Sequence, residues 1–290
     1  MRCLFCKCPS EDATSVEHIV PESLGNRRHI LPRGAICDRC NNYFSREVEG
    51  PLLSHPSMRN HRAWYQEPTK KGKLPSLLGV HLGSDIEINL RVAKDGDLKI
   101  GPYGITAERA GDKDRLLHTA ATDEPYGGPG FAFALGTDPP QREMSRFLAK
   151  MALEALWLRL SNDSTTIKML IDSEHHDRIR FWARRGDNFA SWPFHQRRIC
   201  PEESLIRHPL TNSWVRVGFG YNLFLTKRPE TFFAFCLFGV EYVINLGGPS
   251  IKGYEEWLEE NRFQSPLIEG VGMRLTARHV NGEVTYFLDS

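Results

Sequence analysis

The sequence predicts an α+β protein in which a small cysteine-stapled module precedes a larger mixed α/β domain. Three observations carry this. Five of the seven cysteines (Cys3, Cys6, Cys8, Cys37 and Cys40) fall within the first forty of 290 residues. From residue 86 onward, apolar and polar residues alternate in several stretches, as they do in half-buried strands. Residues 141–160 instead show apolar residues at helical spacing.

Residues 1–65 are rich in Cys, His and Arg and short of residues for an apolar core, so a metal is expected to staple them. Residues 66–76 hold Gln66, Pro68, Lys70, Lys71, Gly72, Lys73 and Pro75 and read as a polar linker. Residues 77–290 read as the mixed α/β domain. Ile86, Ile88, Leu90 and Val92 alternate, Asp95-Gly96 supplies a turn, and Leu98-Lys99-Ile100 returns as a hairpin. Met144, Phe147, Leu148, Met151, Ala155 and Leu158 predict a buried central helix over 141–160. A second helix is expected over 174–184, with Ser173 as N-cap. Val215, Val217, Phe219, Tyr221 and Leu223 suggest one strand, and residues 231–246 suggest two strands broken at Gly239. A short helix over 253–261 and a hairpin turning at Asn281-Gly282 complete the chain.

Composition sets limits on function. Apolar residues make up 40% and charged residues 25%, which is ordinary for a water-soluble chain. No apolar run is long enough to span a bilayer. The apolar stretch of an export signal is missing after Met1, so a cytoplasmic protein is expected. The formal charge is only +1, so any affinity for nucleic acid must come from a local basic surface.

The chemistry concentrates at the N-terminus. Cys3-x-x-Cys6 and Cys37-x-x-Cys40 can supply four thiolates to one tetrahedral zinc ion. Cys8 is the spare, since the spacing of Cys3 and Cys6 matches that of the second pair. Thirty residues separate the two pairs, and the insert carries Glu17-His18. A carboxylate is a hard ligand suited to Mg²⁺ or Mn²⁺. A neutral histidine can take a proton from water near working pH. Asn41 directly follows the last thiolate, so a metal at the cysteines would fix its backbone, and its amide oxygen is another hard donor.

The run Glu17-His18-Ile19-Val20-Pro21-Glu22-Ser23-Leu24-Gly25, followed by Ile36-Cys37-Asp38-Arg39-Cys40-Asn41-Asn42, resembles the HNH (His-Asn-His) endonuclease superfamily in its four-cysteine, zinc-containing ββα-metal form. The resemblance covers about residues 1–55. It implies that Glu17 replaces the usual metal-binding Asp, that His18 is the general base and that Asn41 is the last ligand of a catalytic Mg²⁺ or Mn²⁺. For the middle motif residue it leaves two candidates, Asn26 and His29. It further implies hydrolysis of DNA, with RNA as an alternative substrate, to 5′-phosphate and 3′-hydroxyl ends. A helix over 39–50 would close the ββα unit. Arg27, Arg28, Arg33 and Arg39, with Arg46 beside them, are expected to neutralise backbone phosphates, and Lys70, Lys71 and Lys73 to extend that strip. Residues 77–290 would then choose the substrate or meet a protein partner or a second copy. By family analogy the chain would serve as a restriction or phage-defence effector. The contrasting expectation is a zinc-containing nucleic-acid-binding or interaction subunit, silent alone and active only in a complex.

Other residues draw structural readings. Cys200 and Cys236 are expected to pack as small hydrophobes. His55 and His61 are expected at the surface, as is the pair His175-His176, whose adjacent side chains diverge on a helix. Trp157, Trp182, Trp192 and Trp214 are assigned to the core.

Overall fold

A computed structural model of the chain describes residues 1–65, 67–69, 72–81, 86–92, 98–102, 131–133, 139–186, 191–201, 205–207, 214–216, 218–268, 274–280 and 283–289. The turns expected at Asp95-Gly96 and Asn281-Gly282, together with Val217, Lys70 and Lys71, lie outside the described residues. The protein combines helices and strands as expected: a ββα segment bearing the cysteines, followed by a larger α/β region.

Two compact units emerge. The first comprises Met1–Pro21, Gly25–Leu52 and Pro140–Ser290; the second comprises Glu22–Leu24 and Leu53–Pro139. The sequence boundaries at 65 and 77 therefore both fall inside the second unit, and the cysteine module groups with residues 140–290. Composition marks where polarity changes along the chain, and it does not report which distant segments pack together.

In the first unit, strand β1 (Glu17–His18) pairs antiparallel with β2 (Ile30–Leu31), placing Glu17 opposite Leu31 and His18 opposite Ile30. Helix α1 (Asp38–Phe44) follows, continues as a π-helical segment (Ser45–Glu49) and runs into α2 (Gly50–Ser54). The single helix expected over 39–50 is thus broken by a wider turn, a feature often found at functional sites. The module also buries more apolar surface than its composition suggested. Leu4, Phe5, Ile19, Val20, Leu31, Ile36, Phe44 and Val48 are all buried, and the Phe5 and Phe44 rings lie 4.4 Å apart.

The second unit holds α3 (Pro56–Trp64) and an antiparallel sheet of β3 (Leu77–His81), β4 (Ile86–Val92), β5 (Leu98–Pro102) and β6 (Phe131–Phe133), in the order β5-β4-β3-β6. The Asn60 side chain ties α3 to β3, donating to the Leu78 carbonyl and accepting from the Leu78 N–H, both at 2.7 Å. His61, expected at the surface, is buried in α3, with Nδ1 2.9 Å from the Ser57 carbonyl oxygen. His55 is half-buried, with Nδ1 2.8 Å from Ser57 Oγ. A helix start with a buried face explains both corrections.

The rest of the first unit begins with α4 (Gln141–Leu160), which spans the residues its periodicity predicts. Helix α5 (Ser164–Asp172) was not foreseen; Asp163 caps it by accepting from the Thr165 and Thr166 N–H groups. The helix expected over 174–184 divides into a 3-10 turn (Glu174–His176) and α6 (Asp177–Arg184). Ser173 makes no side-chain cap and instead meets His176 Nδ1 at 3.0 Å.

Strand β7 (Phe194–Arg198) opens the second half, followed by the short strands β8 (Leu205–Arg207) and β9 (Trp214–Arg216), which pair with each other. Then come β10 (Phe219–Leu225), β11 (Thr231–Leu237) and β12 (Val240–Asn245), which with β7 form an antiparallel sheet in the order β10-β11-β12-β7. The alternating run 215–223 is therefore two strands in two sheets. Alternation reports a half-buried strand and is blind to a change of partner at Gly218. At the expected break, Gly239 adopts φ +81°, and a Cβ there would lie 2.6 Å from the Cys200 carbonyl oxygen.

Helix α7 (Lys252–Glu260) packs Tyr254, Trp257 and Leu258 with Phe224, Phe232, Ala234 and Val243. Phe235, pointing the other way along β11, meets Phe147 of α4 with ring centroids 6.3 Å apart. Burial on both faces explains why β11 and β12 read as continuous apolar runs. Trp157, Trp182 and Trp192 lie in the core as expected, Cys236 is buried and Cys200 half-buried; Trp214 lies in β9. Strands β13 (Arg274–Val280) and β14 (Glu283–Asp289) pair as the final hairpin. No helix among the described residues is long and apolar enough to cross a membrane.

Candidate metal centre and active site

The first cysteine pair sits on a tight turn in which the Cys3 N–H donates to the Cys8 carbonyl and the Lys7 N–H donates to the Cys3 carbonyl. Leu4 N–H donates to the Ala35 carbonyl, which brings this turn to the start of α1, where Cys37 is the N-cap and Cys40 lies one turn on. All four sulfurs then lie within 4.8 Å of one another, and Cys6 Sγ is 3.6 Å from Cys37 Sγ. A tetrahedron with zinc–sulfur bonds of about 2.3 Å needs sulfurs about 3.8 Å apart, so the set fits zinc. The bond with Cys40 holds the Cys3 thiol down to about 4, while the same bond drives Cys40 far up. Four thiolates this close stand together only around a cation. Cys8 is exposed and outside the set, its thiol donating to the Cys6 carbonyl. Among the described residues no other group of His, Cys, Asp or Glu converges in this way, the pair His175-His176 included.

The same helix braces the strand that carries Glu17-His18. Asp38, in the first turn of α1, accepts from the N–H and hydroxyl groups of both Thr14 and Ser15. The Ser15 bonds, with those of Thr14, hold its carboxyl down at about 2. Asn41 donates its amide nitrogen to the Val16 carbonyl at 3.3 Å. The helix of the cysteine cluster thus touches the three residues before Glu17. His18 is half-buried, and its Nδ1 is enclosed without a hydrogen-bond partner.

Asn26 is the residue the sequence left undecided against His29. It is fully buried and closes the β1–β2 loop with four bonds. Its Nδ2 donates to the Val20 and His29 carbonyls at 2.7 and 3.0 Å, and its Oδ1 accepts from the Arg28 and His29 N–H groups. His29 is exposed, with its ring 5.1 Å from that of Tyr221. Asn26→Ala leaves those backbone groups unpaired and is expected to cost about 1–3 kcal/mol. Denaturant unfolding of the zinc-loaded protein measures this, and unchanged stability would count against the clamp.

Residues 3–57 match the HNH endonuclease family. No curated protein and no solved structure matches the chain. The match likens this N-terminal segment to nucleases, which act on nucleic acid. Its expected phosphate-binding residues Arg27, Arg28, Arg33 and Arg39 are all exposed, the first two in the β1–β2 loop clamped by Asn26. Arg46 is exposed and paired with Glu47 at 2.6 Å.

The least expected neighbour of the HNH segment is Lys150 on α4. Its ammonium is fully buried, 2.6 Å from Glu17, 2.9 Å from Glu49 and 3.0 Å from Glu154. Burial alone would lower the lysine pKa, but Glu154, Glu17 and Glu49 together carry it well above the ordinary value. Burial pushes the Glu154 carboxyl well up, against the pull of Lys150. The available signal was a charged stripe, Arg146, Lys150 and Glu154 at four-residue spacing, within the buried part of the helix. Periodicity counts the apolar residues and passes over the stripe.

Proposed function

We propose that the HNH segment is the catalytic part of a metal-dependent endonuclease that hydrolyses DNA phosphodiester bonds. The observation that carries this is the bracing of the Glu17–His18 strand by the helix of the cysteine cluster, through Asn41 on Val16 and Asp38 on Thr14 and Ser15. A rigid platform for one histidine is what in-line attack requires.

His18 removes a proton from the attacking water. With Nδ1 enclosed, Nε2 is the nitrogen assigned to take that proton. Glu17 and Asn41 would hold a Mg²⁺ or Mn²⁺ ion, which would supply positive charge against the phosphate and the leaving oxygen. Hard oxygen donors on both residues suit such an ion. Arg27, Arg28, Arg33 and Arg39 pair with backbone phosphates and carry no sequence reading of their own. A role against invading DNA is carried over from family analogy.

The test is nicking of supercoiled plasmid by the zinc-loaded full chain, with Mg²⁺, Mn²⁺ or neither. Cutting is expected only with the divalent ion. Plasmid retained but never cut in either metal would instead identify a binding module.

A further inference from the structure

Arg146 and Lys150, one turn apart on α4, both reach into the HNH segment. Arg146 donates to Tyr43 Oη at 2.9 Å and to the Glu47 carbonyl at 3.3 Å. Lys150 takes Glu17 and Glu49, the latter at the end of the π-helical segment. Neither residue lies within the matched family segment.

An ammonium has three N–H donors, and this one faces three carboxylates, at 2.6, 2.9 and 3.0 Å. It is 0% exposed and the Glu17 side chain 8%, so the pair is largely closed off from water. Glu17 carries one more methylene, and one more rotatable bond, than the aspartate that the HNH resemblance leads one to expect. Lys150 removes the freedom that bond brings.

We propose that Lys150 is a positioning residue of the active site, its buried ammonium fixing the Glu17 carboxylate beside His18. The inference rests on the reading of Glu17 and His18 given above. It makes α4 part of the nuclease, although this helix lies outside the segment by which the family is recognised. The π-helical segment has a place in the same device, since it ends on Glu49, the second carboxylate that holds the ammonium still.

The experiment compares the zinc-loaded full chain with its Lys150→Met, Lys150→Gln and His18→Ala variants. Plasmid nicking is followed as Mn²⁺ is titrated, and Mn²⁺ binding is measured separately by electron paramagnetic resonance without DNA. Lys150→Met is expected to raise the half-saturating Mn²⁺ concentration about 10–100-fold, as loss of a group that orients a metal ligand does. It should also lower kcat while KM for plasmid stays within about threefold, since no DNA contact is removed. Lys150→Gln keeps a donor and should recover part of both effects. A purely structural role would reduce the folded fraction and leave the Mn²⁺ midpoint of the folded molecules in place.

Three results overturn the proposal. One is a zinc-loaded, cooperatively unfolding Lys150→Met protein with the parent's kcat and Mn²⁺ midpoint. Another is a lower Mn²⁺ midpoint in that variant, which would make Lys150 a competitor of the metal. The third is failure of both Lys150 variants to fold and retain zinc, which would assign Lys150 to the core alone. If His18→Ala cuts as well as the parent, the reading of the active site falls, and the Mn²⁺ binding data still decide whether Lys150 fixes Glu17.

Discussion

His18→Ala is expected to lower plasmid nicking by about 10²–10⁴-fold while leaving zinc content and thermal stability near those of the parent. The histidine is half-buried on a two-residue strand, and its Nδ1 makes no hydrogen bond, so little stability is lost with the ring. The loss is chemical, because the group assigned to take the proton from water is gone. Steady-state nicking in saturating Mn²⁺, with zinc measured on the same sample, checks this. A His18→Ala protein that cuts at the parent's rate would rule out this histidine as the base.

Cys37→Ser is expected to strip zinc from the chain and loosen the strand that bears His18. Cys37 is both a member of the sulfur set and the N-cap of α1, and α1 holds Thr14, Ser15 and Val16 through Asp38 and Asn41. Structural zinc contributes about 10–16 kcal/mol of binding free energy in small zinc modules, and a hydroxyl is a poor substitute for a thiolate. Metal analysis should show less than one zinc per chain, and the thermal transition should fall. The apolar residues buried in the same module, Phe5, Phe44 and Val48 among them, will keep part of it compact, so the first losses should appear in activity and zinc. Full zinc and an unchanged transition in this variant would contradict the site.

Much of this was legible in the sequence. Two CxxC pairs announce a metal because spacing fixes where sulfurs can point, and the structure converges the four cysteines that the spacing selects. The helix over 141–160 was legible because its apolar residues repeat at helical period, and β11 and β12 because continuous apolar runs mark burial on both faces. The break between β9 and β10 was not legible, since alternation survives a change of sheet. Nor was α5, whose start is set by Asp163 and whose apolar face is only Ile167, Leu170 and Ile171. Asn26 was recognised as a candidate, but the four bonds by which it closes the β1–β2 loop were not legible. Lys150 was out of reach for a different reason: its partners Glu17 and Glu49 lie far from it along the chain, and a charged stripe on a helix does not name the distant carboxylates it will meet.

The separation of Glu17 and Lys150 by 133 positions also has a consequence in time. Ribosomes add about 5–20 residues per second, so the acidic strand exists for roughly 7–27 s before the lysine that holds it has been made. Zinc can gather its four sulfurs early in that interval, because Cys40 is synthesised soon after Cys3. If Lys150 fixes Glu17 as proposed, the nascent chain passes through a stage that can take up zinc before the residue that positions Glu17 has been made.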